Sequence, residues 1–480
     1  MVLKESGIDP EAVVGIGVDF TASTVLPVKN DGRPLCFMDE FKDNPHSWTK
    51  LWKHHAAQPQ ADRINKLAED RNENFLPRYG GIVSSEWLMP KALQMLEEAP
   101  ELYAQADLIV EGADWVAWQL SEKLTRNTCT AGYKGTWHKS DGFPSKNFLN
   151  ELNPGFSNVF SEKVVGTIVA PGEKIGTLTN DWANTVGLIP GIPISAPIID
   201  AHSAAIGGGV SAPETMSLIM GTSTCHMLMA DKEVLVEGIS GVVEDGIVPG
   251  LFGYEAGQAG VGDIFAWFIK NNVPKEYSKE ASKKGLSIHD VLTEKARLLK
   301  PGESGLLALD WWNGCRTPLV DAELSGLLIG YSLQTKPEEI YRALIEATAF
   351  GTRLIVELFQ EGGVSIKKLC AGGGLTKNKM LLQIYADVIG LPIEIAASQQ
   401  SSALGAAILG AVAGNEYESI SDAVEKMTPP PATIINPDIT NTKIYDRLFD
   451  EYKRLVNIFG RDKNSTMKVL RDIKGYQSIR

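Results

Sequence analysis

The chain predicts an α/β fold, and three observations carry that prediction. Short apolar runs alternate with stretches of helical periodicity, several runs end on glycine or an acid, and 480 residues suffice for two or three domains, each with its own core. Val13 to Val18 reads as a strand. Met89, Ala92, Leu93 and Leu96 fall at i, i+3, i+4 and i+7 of a helix, and Leu108 to Val110 is a further strand. The run Ile192 to Ile199 ends at Asp200, although Pro193 and Pro197 are residues that strands keep to ends, edges and bulges. A second run, Ser217 to Met220, ends at Gly221. Pro337 suits a first helical position, Ile340, Leu344, Ala347, Leu354 and Leu358 keep helical spacing, and Gly362 offers a stop. A strand Ile366 to Cys370, a helix from about Asn378 to Val388 and a strand Leu391 to Ile395 follow.

Composition narrows the function classes. With 44% hydrophobic and 22% charged residues the chain is ordinary globular material. Lys+Arg 46 against Asp+Glu 59 gives a net charge of −13, which opposes binding to nucleic acid or to an anionic membrane and leaves small molecules as the expected partners. The apolar runs fall short of the roughly eighteen residues a membrane span needs. Met1 to Ser6 lacks the regions of a signal peptide, so a cytoplasmic location is expected. The five cysteines contain no C-x-x-C pair and the seven histidines no H-E-x-x-H, so neither a disulfide framework nor a structural metal is expected. A homodimer is compatible with the sequence, which carries no signal for or against it.

Asp200 is the leading candidate for chemistry. It closes an apolar run and precedes Ala201-His202 and Gly207-Gly208-Gly209, where ligands of open α/β sheets gather beyond the strand ends. Transfer of a phosphoryl group to an alcohol needs an acceptor for the hydroxyl proton, which an aspartate supplies. The competing reading is a helix N-cap, a position aspartate also favours. His202 reads as structural. Gly221-Thr222-Ser223-Thr224 and Ala371-Gly372-Gly373-Gly374 each follow a strand, and such turns aim backbone N–H groups at anions. Neither fits the P-loop or the G-x-G-x-x-G pattern, which disfavours a dehydrogenase.

Taken in order, Asp200-Ala201-His202, Met220-Gly221-Thr222-Ser223-Thr224, Gly253-Tyr254-Glu255-Ala256-Gly257-Gln258, Gly262-Asp263 with Trp267, Ala371 to Gly374 with Gln383 to Asp387, and Ala403-Leu404-Gly405-Ala406-Ala407 resemble the FGGY family of carbohydrate kinases. Asp19 to Ser23, Lys50 to His55, Thr130 to Lys134 and Leu309 to Gly314 extend the resemblance over nearly the whole chain. It implies a two-lobed actin/hexokinase-like (ribonuclease H-like) fold that phosphorylates L-ribulose to L-ribulose 5-phosphate with ATP and Mg²⁺, a step in L-arabinose breakdown. A sugar lobe, 1–208, and a nucleotide lobe, 209–480, are implied. Asp200 then matches the catalytic base, and Ala22, Trp52, Lys134 and Glu255 match the sugar site. Gly221, Thr222, Ser223 and Gly262 match the phosphate side, and Gly373 with Lys377 or Asn378 the adenine side. Lys134 is expected close enough to Asp200 to keep it ionised. Metal ligands are not identified. The alternatives are a non-catalytic sugar- or nucleotide-binding remnant and a kinase of another ketose or polyol.

One departure from the family stands out. Its first strand carries an Asp-x-Gly-Thr loop, whereas this chain opens on Lys4 to Glu11, which reads as the end of a long helix, and passes directly to Val13 to Val18. Gly17 to Ser23 is worded similarly but lacks the Gly-Thr pair. The expectation is that the N-terminal hairpin and most of the first helix are absent, leaving the N-terminal lobe incomplete, with weak or no activity for the chain alone.

Overall fold

Seven strands between Glu214 and Ile435 form one sheet in the computed structural model, which describes residues 2–461 and 465–475. A ladder preceding it that bears on the site pairs β1 (Asp19–Phe20) with β2 (Ile198–Ile199), in parallel. The large sheet comprises β3 (Glu214–Met220), β4 (Thr224–Ala230), β5 (Gly241–Glu244), β6 (Phe252–Gln258), β7 (Ile366–Gly372), β8 (Ile393–Ile395) and β9 (Thr433–Ile435), in the order β5-β6-β4-β3-β7-β8-β9. β3 and β4 form a hairpin whose tip is Gly221 to Ser223, and β7 joins β3 in parallel.

Seven helices matter here: α1 (Leu88–Glu98), α2 (Thr128–Tyr133), α3 (Asp200–Gly207), α4 (Gly262–Asn272), α5 (Pro337–Glu361), α6 (Lys379–Ile389) and α7 (Ser401–Ala413). Side chains alternate across the sheet, so its two faces bury different helices. Met216, Leu218 and Met220 of β3 and Leu228 of β4 pack with Leu344, Ile345 and Phe359 of α5. Met227 and Met229 of β4 turn the other way, onto Ala205 and Ile206 of α3 and Ile408 and Leu409 of α7. A separate core around Ile64, Met89, Leu93, Phe148 and Phe156 serves the N-terminal part.

Elements near the N-terminus depart from expectation. The stretch Lys4 to Glu11 holds a helix Val2–Ser6 and one 3-10 turn Pro10–Ala12, separated at Gly7, whose φ of 66° is left-handed. Val13 to Val18 is extended but bonded only in places: Ile16 exchanges hydrogen bonds with Pro193 and Ser195, and the named strand starts at Asp19. Its partner explains this, because Pro193 and Pro197 cannot donate to a ladder. The run Ile192 to Ile199 accordingly splits into Pro193–Ser195 and Ile198–Ile199. Leu391 to Ile395 shortens to β8, beginning after Pro392.

α3 and α7 approach until backbone meets backbone. A Cβ built on Gly405 would lie 1.9 Å from the Ser203 carbonyl oxygen, and one on Gly207 2.0 Å from that of Ser401. Ser203 Oγ donates to the Ser402 carbonyl at 2.7 Å, across the same contact. Alanine within a helix is intrinsically favoured over glycine by about 1 kcal/mol. Gly405→Ala is nonetheless expected to destabilise, because overpacking costs about 1–3 kcal/mol where backbone cannot yield. Urea unfolding of the variant should show a lower midpoint; an unchanged or raised midpoint would contradict the contact.

Candidate active site

Asp200 is the first residue of α3, delivered by β2, and its Oδ1 accepts the Ala201 N–H at 2.7 Å. Ile199 occupies the cap position, so Asp200 is not the helix cap. Its carboxylate lines a cavity of about 300 Å³ shared with Ala22, Trp52, Lys134, Ser223 and Glu255. Five expected residues therefore gather with Asp200 from six separate stretches of chain. Burial, above all, raises the Asp200 pKa above the ordinary carboxylate value; the Ala201 hydrogen bond opposes this, while Asp19 and Glu255 add to it.

Lys134 does not hold Asp200 ionised as expected. Its ammonium donates to both oxygens of Glu255, at 2.9 and 2.8 Å, and is only the weakest of the influences on Asp200. Asn127 caps α2 by accepting the Thr130 N–H at 2.7 Å, and this short helix delivers Lys134 at its end. The pair is buried, with Lys134 6% and Glu255 8% exposed. Burial pushes the Glu255 pKa up, but the Lys134 ammonium, with its two hydrogen bonds, does most to outweigh it and hold the carboxyl below its usual value. His202 Nε2 lies 3.5 Å from Glu255, yet burial lowers the imidazole pKa to about 4, so the contact is not an ion pair near neutral pH. An ammonium has three donors, and two are spent on Glu255, which leaves one for a ligand oxygen.

Three side chains that sequence reasoning passed over also line this cavity, and a fourth lies behind its wall. Trp87 is 5% exposed, lines the wall and lies 5.7 Å from the Lys134 ammonium, within cation–π range. Glu86 and Arg316 also line it. Lys91 on α1 is fully buried behind it and donates to the carbonyls of Ser23, at 2.7 Å, and Leu51, at 2.8 Å. One ammonium thus clamps the segment carrying Ala22 to the segment carrying Trp52. Burial lowers the Lys91 pKa and raises that of its neighbour Glu111, and the attraction between the two charges opposes both shifts. A lysine in a helical pattern reads as solvated, so only the packing exposes this role.

The hairpin tip is braced by the start of α4. The Gly221 carbonyl accepts the Gly262 N–H at 3.1 Å, and the Thr222 carbonyl accepts the Val261 N–H at 2.8 Å. Gly262 therefore supports the turn. The Thr222 and Ser223 hydroxyls have no protein partner among the described residues, which leaves them available to a ligand. Gly373 has φ 97°, and a Cβ there would lie 2.4 Å from the Met220 carbonyl oxygen, so the loop after β7 sits against the end of β3. Gly374, Lys377 and Asn378 line a second cavity, of about 910 Å³, with Thr293, Arg297 and Tyr341 opposite. Asn378 also caps α6, accepting the Leu381 N–H at 3.1 Å, and donates to Thr293 Oγ1 at 3.1 Å. Gly221, Thr222, Gly262 and Gly373 line neither cavity and form the braced backbone around the tip. Among the described residues no cluster of three or more His, Cys, Asp or Glu is placed to hold a metal, and no helix is long and apolar enough to cross a membrane.

Removing one partner of a buried ion pair leaves the other charge uncompensated. Lys134→Met is expected to cost about 3 kcal/mol of stability, and adding Glu255→Gln should restore part of it. Urea unfolding of both single variants and the double checks this; strictly additive losses would mean the two side chains are not coupled.

Comparison with known proteins identifies the family. Residues 1–207 match the N-terminal domain of the FGGY family of carbohydrate kinases and residues 216–414 its C-terminal domain. The ribulokinase of Halalkalibacterium halodurans is 53% identical over 481 residues, covering 99% of this chain and 85% of that protein. The ribulokinase of Mycolicibacterium smegmatis is 51% identical over 470 residues, covering 98% and 83%. Among solved structures, a ligand-bound xylulose kinase from Lactobacillus acidophilus superposes with a TM-score of 0.80 at 17% identity, over 96% of this chain and 87% of that one. Glycerol kinase from Plasmodium falciparum with ADP gives 0.73 at 18%, over 92% and 83%. The fold is thus the two-domain α/β fold of these sugar kinases, and the chain belongs to the FGGY family of carbohydrate kinases.

Proposed function

We propose that the protein phosphorylates L-ribulose at O5 with MgATP, yielding L-ribulose 5-phosphate in L-arabinose breakdown. The carrying observation is the convergence of Asp200, the buried Lys134–Glu255 pair and Ser223 on one cavity, in a chain 53% identical to a curated ribulokinase. Residues 1–208 would hold most of the sugar contacts and 209–480 the nucleotide.

In this reading the O5 hydroxyl of the sugar donates its proton to Asp200 as its oxygen attacks the γ-phosphorus. The O5–P bond forms, the bond from phosphorus to the β–γ bridging oxygen breaks, and ADP leaves with the electron pair. Asp200 returns its proton to solvent after product leaves. A base with a raised pKa suits the task, since a proton acceptor works best when its pKa approaches the working pH. Lys134 and Glu255 donate to and accept from the sugar hydroxyls, and Ala22 and Trp52 bound its carbons. Gly221, Thr222 and Ser223, braced by Gly262, face the phosphates. Gly373, Lys377 and Asn378 hold the adenosine side, where a cavity of about 910 Å³ has room for it. Mg²⁺ takes oxygen donors and keeps several waters, so one or two carboxylates suffice beside the phosphates. Asp19, close enough for its charge to raise the Asp200 pKa, supplies an oxygen donor of that kind; the ion would neutralise phosphate charge.

Whatever its rate, ADP release by the purified protein with MgATP should follow L-ribulose in preference to D-ribulose, xylulose and glycerol. Turnover on another acceptor alone would overturn the substrate assignment. Asp200→Asn should abolish transfer with ATP affinity nearly unchanged in a calorimetric titration. The protonated form of Asp200 cannot accept a proton, so kcat/KM should fall as pH drops through its raised pKa. The acid limb of the profile is therefore expected above the ordinary carboxylate range; a limb at or below that range would remove Asp200 from the role.

A further inference from the structure

The smaller cavity has an axis that the strand register defines. Ser223, at the hairpin tip, and Cys225 and Met227, alternate residues of β4, all face it. On β6, Gly257 stands opposite Cys225 and Glu255 opposite Met227. Same-face neighbours on a strand are about 7 Å apart. The axis thus runs from Ser223 at the phosphate end, through the Cys225/Gly257 level, to Glu255 at the sugar end.

Arg316 stands over the middle of that axis. Its Cδ lies 3.4 Å from the place a Cβ on Gly257 would occupy. The segment is fixed to β6 by two hydrogen bonds, Thr317 N–H to the Gly257 carbonyl and Gly257 N–H to Thr317 Oγ1, both 3.2 Å. Cys315 and Asp321 exchange backbone hydrogen bonds at 2.9 and 2.8 Å, closing the loop beneath. Despite this anchoring, the guanidinium makes no hydrogen bond and no ion pair among the described residues. Glu86 and Glu255 are near enough to favour its charge, but neither touches it. A cation carried on an anchored backbone, lining a cavity without a bonded partner among the described residues, is a site for an anion.

We infer that Arg316 is a catalytic residue that bonds the phosphoryl group while it passes from nucleotide to sugar. The inference rests on the kinase reading above and adds to it the group that neutralises charge at the midpoint. Charge on the transferring phosphoryl group is spread over its three equatorial oxygens, and a planar guanidinium can bond two of them at once. It stays charged at any working pH, unlike the ammonium of lysine. The axis places it between the Ser223 turn and the sugar pair, where bond making and breaking occur.

The test compares Arg316→Met and Arg316→Lys with the parent protein. Loss of one preorganised donor to a transition state typically costs about 10²- to 10³-fold in kcat. That loss is expected in Arg316→Met with KM for acceptor and ATP changed only a few-fold, with a smaller loss in Arg316→Lys and partial recovery of Arg316→Met by added guanidinium chloride. A raised acceptor KM at unchanged kcat would instead make Arg316 a sugar contact and overturn the inference. Glu86→Gln reproducing the same kcat loss would make Arg316 half of a closure latch and overturn it too. A binding readout is independent of turnover: fluoroaluminate, a mimic of the phosphoryl in flight, should tighten ADP in the parent protein and not in Arg316→Met, while ADP alone binds both equally. Equal tightening in both, or none in the parent, refutes the assignment. If the parent prefers another acceptor, the substrate reading fails while the Arg316 comparison proceeds on that acceptor.

Discussion

Backbone contact between α3 and α7 is the constraint on which the site depends. Where two helices meet through glycine, carbonyl oxygens and Cα atoms replace side chains as the touching surface, and the separation cannot be tuned by a rotamer. α3 starts with Asp200, so the position of the acid is referred to the backbone of α7. The extended segment before β1 is referred to the same helix, because a Cβ on Gly17 would lie 1.8 Å from the Ala406 carbonyl oxygen. Residues far apart in the chain, Ala22 and Asp200 on one side and α7 on the other, are thereby held in one rigid frame. A site that must align a hydroxyl, a base and a phosphorus gains from such a frame, since misplacement of the order of 1 Å can cost about a hundredfold in rate.

Within that frame the charges are distributed unevenly. At the sugar end an ammonium and a carboxylate compensate each other, with a neutral histidine behind them, so the pocket offers directional hydrogen bonds and little net field. Asp200, by contrast, has no cation bonded to it, and its ionisation is made harder by burial and by the nearby Asp19. The guanidinium of Arg316 sits between these regions without a bonded partner among the described residues. Neutral recognition at one end and unbalanced charge at the centre suit a cavity in which an uncharged sugar must meet a highly charged phosphate.

Local pattern made much of this legible in the chain. The 3.6-residue spacing from Ile340 to Leu358 marked α5, Gly362 its end, and the Met220-Gly221 junction the hairpin tip. Resemblance gathered Ala22, Trp52, Lys134, Asp200 and Glu255, five residues that the fold brings to one cavity. What escaped was non-local. The interrupted pairing of Val13 to Val18 is imposed by prolines almost two hundred residues away. Lys134 was expected to serve Asp200 and serves Glu255, because register across β6 decides which acid its ammonium reaches. Lys91 and Arg316 look like surface cations in a linear reading; burial behind two carbonyls and placement over a glycine are properties only of the folded chain.

Lys91 has a bearing on how such a pocket can change over evolutionary time. Its ammonium holds the carbonyls of Ser23 and Leu51, groups that every residue type possesses, rather than any side chain. The two wall segments are therefore fastened by a clasp that is blind to their composition. Ala22 and Trp52 can be exchanged for larger or smaller residues without unfastening the walls, which separates the inheritance of shape from the inheritance of preference. A family scaffold built this way can acquire new sugars by point substitution, while insertions or deletions in either wall, which would carry a carbonyl out of reach, are closed to it.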